Sequence, residues 1–146
     1  MAPWKQILVG VDGSPASRKA LEWASDEAVR HGSEIVALTA YLALPPPPST
    51  GTVSVHEAQS ASEAASKAAQ QLLMETVRDV LGDDPPVLVQ PRVKEGNAAK
   101  LLIDLSEEAD VVVIGSRGRG GFLGLLLGSV SQNVAAHAKC TVVVAR

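Results

Sequence analysis

Thiols, rings and long apolar runs are all scarce in this chain. Its 146 residues contain one cysteine, two Trp, one Tyr and one Phe. A single thiol, Cys140, closes no internal disulfide and completes no zinc site, so neither staple is available to the fold. At the head of CTVVVAR it reads as a small buried hydrophobe. The opening, MAPWKQILVGVDGS, breaks its apolar run at Asp12, far short of a leader peptide or a bilayer span, so the chain is expected in the cytoplasm. An excess of positive charge is also missing. A formal net charge of -3 offers no general attraction to phosphate polymers or anionic lipid, which argues against nucleic acid and membrane as partners.

Aliphatic residues are what the chain has. Hydrophobic residues make up 46% of it and aromatics only 3%, so Val, Leu, Ile and Ala must build the core, as in parallel sheets under Ala-rich helices. Five short apolar runs read as strands: 6–11, 34–41, 86–93, 110–115 and 140–145. Helical stretches separate them. The first has Ser14 as N-cap, Pro15 at its first position, Ala20, Leu21, Ala24 and Ala28 on one face, and Gly32 as its stop. A longer helix spans about 57–81, with an alanine stripe leading into Leu72, Leu73, Val77, Val80 and Leu81 before Gly82. Two more are expected at 97–109 and from about 128 to just before Cys140. This β-α alternation, with crossovers long enough for a helix, predicts an α/β fold: one domain over 1–146, a doubly wound parallel sheet with helices on both faces. The Pro-rich segment 44–54 reads as an irregular surface loop.

Six of the twelve glycines crowd into GSRGRGGFLGLLLGS, between Gly115 and Ser129. A strand delivers the chain into this stretch, and a helix beginning at Gly128-Ser129 takes it away. Bare backbone lets amides approach an anion closely, and a helix N-terminus adds free N–H groups and a positive dipole end. Ser129 and Ser131 can add hydroxyls, and Arg117 and Arg119 can add guanidinium forks. The loop is not a Walker A sequence, because no lysine precedes the serine. Nor is it a dinucleotide fingerprint, since Leu123 stands where the third glycine would be.

The residues instead satisfy G-x2-G-x9-G-[ST] at Gly115, Gly118, Gly128 and Ser129. With ILVGVDGSPAS at the first strand and CTVVVAR at the end, the whole chain resembles the universal stress protein family. That resemblance implies a Rossmann-like five-stranded sheet in the order 3-2-1-4-5, with ATP across the carboxyl ends of strands one and four. It places Gly10, Val11 and Asp12 beside the nucleotide, Asp12 also near nucleotide-bound magnesium, and Ala40 and Tyr41 at the adenine. It gives the ribose and phosphates to Gly115, Ser116, Arg117, Gly118, Arg119, Gly121, Gly128, Ser129, Val130 and Ser131. Cyclic AMP is an alternative ligand. The resemblance also implies a homodimer through the edge strand Cys140–Ala145, which would cover an apolar sheet edge.

Plainer roles fit the remaining polar residues. His31, beside Gly32, suits the helix's last carbonyls, while His56 and His137 have no partner at metal-ligand spacing. Glu107, Glu108 and Asp110 read as a solvated helix end, and Trp4 and Trp23 as packing residues. Hydrolysis of ATP needs a water-positioning group, a cation on the γ-phosphate and a magnesium ligand, and only the arginines and Asp12 offer themselves. The pattern therefore favours a regulatory protein that holds nucleotide and changes shape or partner with it. A slow ATPase and a protein-interaction module without nucleotide are the alternatives.

Overall fold

A computed structural model describes residues 3–43, 54–118 and 127–146. Nine elements alternate along it: β1 (Gln6–Gly10), α1 (Pro15–His31), β2 (Glu34–Tyr41), α2 (Val55–Leu81), β3 (Val89–Glu95), α3 (Ala98–Leu105), β4 (Val111–Gly115), α4 (Ser129–His137) and β5 (Thr141–Ala145). The strands form one parallel sheet in the order β3-β2-β1-β4-β5, as the resemblance implied.

Alternation along the strands supplies two cores. Ile7, Val9, Ile35, Ala37, Val111 and Val113 face α1 and α2, where they meet Ala20, Leu21, Ala24, Ala28, Leu73 and Val77. Their neighbours in sequence, Leu8, Val36, Leu38, Val112 and Ile114, face the other way and pack with Ala99, Leu102 and Val134 of α3 and α4. Strands covered on both faces must be apolar at consecutive positions, which is why β1 and β4 show no polar alternation. Leu21 has no exposed surface, and truncating it to Ala would cost about 3 kcal/mol. Trp4 and Trp23 pack against the same core, as their sequence context suggested.

Caps set most helix boundaries. The Ser14 hydroxyl accepts the Ser17 amide at 3.2 Å, Pro15 occupies the first turn, and Gly32 closes α1 with φ 68. Helix α2 starts earlier than position 57. Ser54 accepts the Glu57 amide and Glu57 accepts the Ser54 amide, both at 3.1 Å, in a reciprocal capping box.

Other expected boundaries shift too: β1 ends at Gly10 rather than 11, and β3 ends at Glu95 rather than 93. β3 begins at Val89 rather than 86, since Pro85 and Pro86 hold the lead-in as a bend, and the Leu88 carbonyl is the first to accept from β2, at 2.9 Å. α3 ends at Leu105 rather than 109. Ser106 turns the chain there, its hydroxyl bonding the Ile103 carbonyl and accepting the Lys139 amide. Pro91 lies mid-strand in β3, which is tolerated because β3 is an edge.

Three polar assignments change as well. His31 does not cap carbonyls: it stacks on Trp4 at 4.5 Å, accepts the Trp4 amide at 3.3 Å, and lies 3.6 Å from the Glu27 carboxylate. Asp110 is no idle surface charge, because one of its oxygens accepts the Lys5 and Gln6 amides at 2.8 and 3.0 Å and fixes the entry to β1. Cys140 is half-buried rather than buried, and burial pushes its thiol pKa up.

Candidate functional site

β1 and β4 are neighbours at the centre of the sheet, but their onward connections diverge. From β1 the chain crosses over α1 to β2; from β4 it crosses by way of α4 to β5 on the other side. Divergence leaves a crevice outside the carboxyl ends of these strands. A cavity of about 440 Å³ occupies it.

One wall is apolar. Leu38 and Ala40 of β2, Ile114 of β4, and Ala98 and Leu102 of α3 form it. Gly10 belongs there for reasons of space, since a Cβ at that position would sit 3.2 Å from a Leu102 methyl group. The opposite wall is polar, combining Asp12, Ser14 and Ser17 from the β1–α1 junction with Arg117, Gly118, Gly128, Ser129, Val130, Ser131 and Gln132. An amphipathic ligand with a flat apolar part and an anionic end matches such a division.

The anionic end is set by α4. Gly128 is its N-cap, with φ -75 and ψ 172, and it has no side chain to accept the first-turn amides. These amides lie at the positive end of the helix dipole, and Gly128 supplies no side-chain cap for them.

The three pattern glycines have different reasons. A Cβ on Gly115 would lie 2.7 Å from Ala16 atoms and 2.8 Å from the Ser17 nitrogen, so this glycine lets α1 approach the end of β4. A Cβ on Gly118 would lie 2.6 Å from the Asp12 carboxylate, so this one joins the two strand ends closely. At Gly128 the nearest described atom to a Cβ would be 3.5 Å away, so space does not demand glycine there.

Asp12 ties the β1–α1 turn together and borders the cavity. Its Oδ1 accepts the Ser14 amide at 2.9 Å, its amide lies 3.4 Å from the Ser17 hydroxyl, and the residue also lines the cavity.

Of the residues singled out in the sequence, the cavity gathers Gly10, Val11, Asp12, Ala40, Gly115, Arg117, Gly118, Gly128, Ser129, Val130 and Ser131. Tyr41 is not among its lining residues. Strand side chains alternate, so with Leu38 and Ala40 on the α3 face Tyr41 turns to the other. Ser116 is also absent from the lining; it is buried, with its amide donating to the Ala145 carbonyl at 2.7 Å. Arg119 and Gly121 lie outside the described residues. Sequence reasoning missed Ser14, Ser17, Leu38, Ala98, Leu102, Ile114 and Gln132. Among the described residues no group of three or more His, Cys, Asp or Glu could hold a metal, and no helix is long and apolar enough to cross a membrane.

Residues 3–146 match the family model described as the Universal stress protein family. A universal stress protein of Mycobacterium tuberculosis strain H37Rv is 40% identical over 141 residues, which is 96% of this chain and 44% of the relative. The chain thus spans less than half the length of the curated relatives it matches. Among solved structures, the universal stress protein UspA from Lactobacillus plantarum superposes with a TM-score of 0.79 at 24% identity, covering 100% of both chains. A universal stress protein in complex with cAMP has a TM-score of 0.64 at 26% identity, covering 99% of this chain and 98% of that one.

Proposed function

The chain belongs to the universal stress protein family, and on that premise we propose that its crevice holds an adenine nucleotide as a regulatory ligand. The base lies against Leu38, Ala40, Ala98, Leu102 and Ile114. The phosphates lie at the first turn of α4, where backbone amides and the Ser129 hydroxyl donate to them. Asp12 faces the ribose or a magnesium ion carried in with ATP, and Arg117 supplies a cation at the loop's start. The observation that carries this assignment is the helix N-terminus at Gly128, which has no side-chain cap among the described residues, in the wall of a cavity whose other side is apolar.

ATP is the favoured ligand. Mass spectrometry of the small molecules that copurify with the protein should find an adenine nucleotide, and calorimetry at millimolar ATP should show binding. Protein that arrives empty and gives no heat would end this assignment. Cyclic AMP is the second candidate, supported by the solved relative that holds it. Competition between the two ligands separates them, since both would use the same crevice.

We read the site as one that holds ATP, with slow hydrolysis as the alternative; phosphate release above background, abolished by Asp12→Ala without loss of binding, would favour hydrolysis. Occupancy acts by changing shape or partner. A second copy of the chain is the partner proposed for β5, which pairs with β4 on one side only and keeps Val142, Val143, Val144 and Ala145 half-buried. Light scattering at micromolar concentration should give a dimer mass, and a monomer would refute that pairing.

A further inference from the structure

The structure assigns to Ser131 a role other than ligand contact: we propose that its hydroxyl is the latch that holds the two ends of the glycine loop together, so that the anion seat exists before any nucleotide arrives. The inference rests on the proposed nucleotide site and concerns how that site is kept in shape.

Ser131 is 2% exposed, and its hydroxyl donates to the Ser116 carbonyl at 2.8 Å across fifteen positions of sequence. The same oxygen lies 3.2 Å from the Gly128 carbonyl. A serine hydroxyl has one proton, and here the protein takes it. The Ser116 carbonyl accepts a second bond, from the Gly128 amide at 2.7 Å. Ser116 is itself anchored, because its amide donates to the Ala145 carbonyl of β5 at 2.7 Å. One buried carbonyl therefore joins the loop's entrance, its exit at the N-cap of α4, and the hydroxyl inside the first helical turn. Gln132 adds an outer brace, its side-chain amide donating to the Leu127 carbonyl at 2.9 Å.

Such a device has a use at this position. The stretch between Ser116 and Gly128 is rich in glycine, and glycine loses the most backbone freedom on ordering. A loop left to order on binding would charge that entropy against affinity. Fixing both ends beforehand keeps the α4 amides aimed at one place. Ser131 is then a positioning residue, and the phosphate is met by the backbone and by Ser129.

Ser131→Ala and Ser131→Thr are the variants, in the full chain, with adenosine 5′-monophosphate and ATP as probes. Unchanged amide exchange at Val112 and Val113 of β4 certifies the fold. In ligand-free Ser131→Ala, exchange of the Gly128 amide should quicken at least tenfold, and affinity for both probes should fall roughly tenfold. Ser131→Thr, which keeps the hydroxyl, should restore both. Lost affinity with Gly128 exchange unchanged would make Ser131 a direct phosphate ligand and overturn the latch. Faster exchange with affinity unchanged would overturn the link to binding, and no change in either would overturn the whole inference. A parent protein that binds neither probe would fail at the first titration, before any variant is compared, and would remove the nucleotide assignment together with this role.

Discussion

The two central strands end in junctions that look alike in outline and differ in one atom group. At β1–α1, Ser14 accepts the Ser17 amide and Asp12 accepts the Ser14 amide, so the helix start is satisfied from within. At β4–α4 the N-cap is Gly128, and among the described residues no side chain does the same. Both helix starts border one cavity. A side-chain cap at one terminus and a bare glycine at the other, side by side, contrast a helix start the fold secures for itself with the one proposed above to meet an anion.

Filling the space between the junctions is the strongest way to break the comparison. Gly115→Ala puts a methyl group 2.7 Å from Ala16 in the first turn of α1, so helix or strand must move. Denaturant unfolding should show a loss of about 3 kcal/mol, at the upper end for overpacking, with nucleotide affinity falling too. Closing the open terminus comes next. Gly128→Asp fits, since the nearest atom to its Cβ would be 3.5 Å away, and it gives α4 the cap that α1 already has. Nucleotide affinity should drop about a hundredfold, as two amide bonds to a charged group are lost, while stability holds or rises by about 0.3 kcal/mol. Affinity that survives this change would show that the α4 amides are not the phosphate seat. Opening the closed terminus is milder: Ser14→Ala should cost about 1 kcal/mol in thermal or urea unfolding and change affinity little.

Much of this contrast could be read from the residues themselves. Ser14, Pro15 and Gly32 bound α1 where local chemistry alone places it, and the spacing of Gly115, Gly118, Gly128 and Ser129 led to the loop. Period-two alternation from Leu38 would have separated Ala40 from Tyr41, and Ser54 three positions before Glu57 would have started α2 at Val55. The α3 wall was less accessible. A helical period tells which face of α3 is buried, yet Ala98 borders a cavity and Ala99 a packed core, a difference fixed only by where α3 crosses the sheet. Ser131 is harder still, because its hydroxyl is claimed by a carbonyl fifteen positions away. Asp110 was hidden in the same way, behind amides more than one hundred positions distant in sequence.

Asp110 also provides the smallest and most internal check on the anion seat. At the amino end of the sheet it already demonstrates the chemistry proposed at the carboxyl end: two consecutive backbone amides converging on one negatively charged oxygen. Its pKa is lowered, first by the Gln6 amide and then by the Lys5 amide, against a smaller opposing effect of burial. A carboxyl group whose pKa is depressed in the folded state binds protons less readily there than in the unfolded chain. Its contribution to stability is therefore fully present above the unfolded value of about 3.9 and is lost as pH falls below it. The side chain is exposed, so solvent screens the effect and the change should be small. Asp110→Asn should slightly destabilise the protein at neutral pH and flatten the fall in unfolding midpoint below about pH 4, where the parent loses this carboxylate. Superimposable acid limbs for parent and variant would show that paired amides here do not favour the charged form, and would weaken the case for uncapped amides holding phosphate at α4.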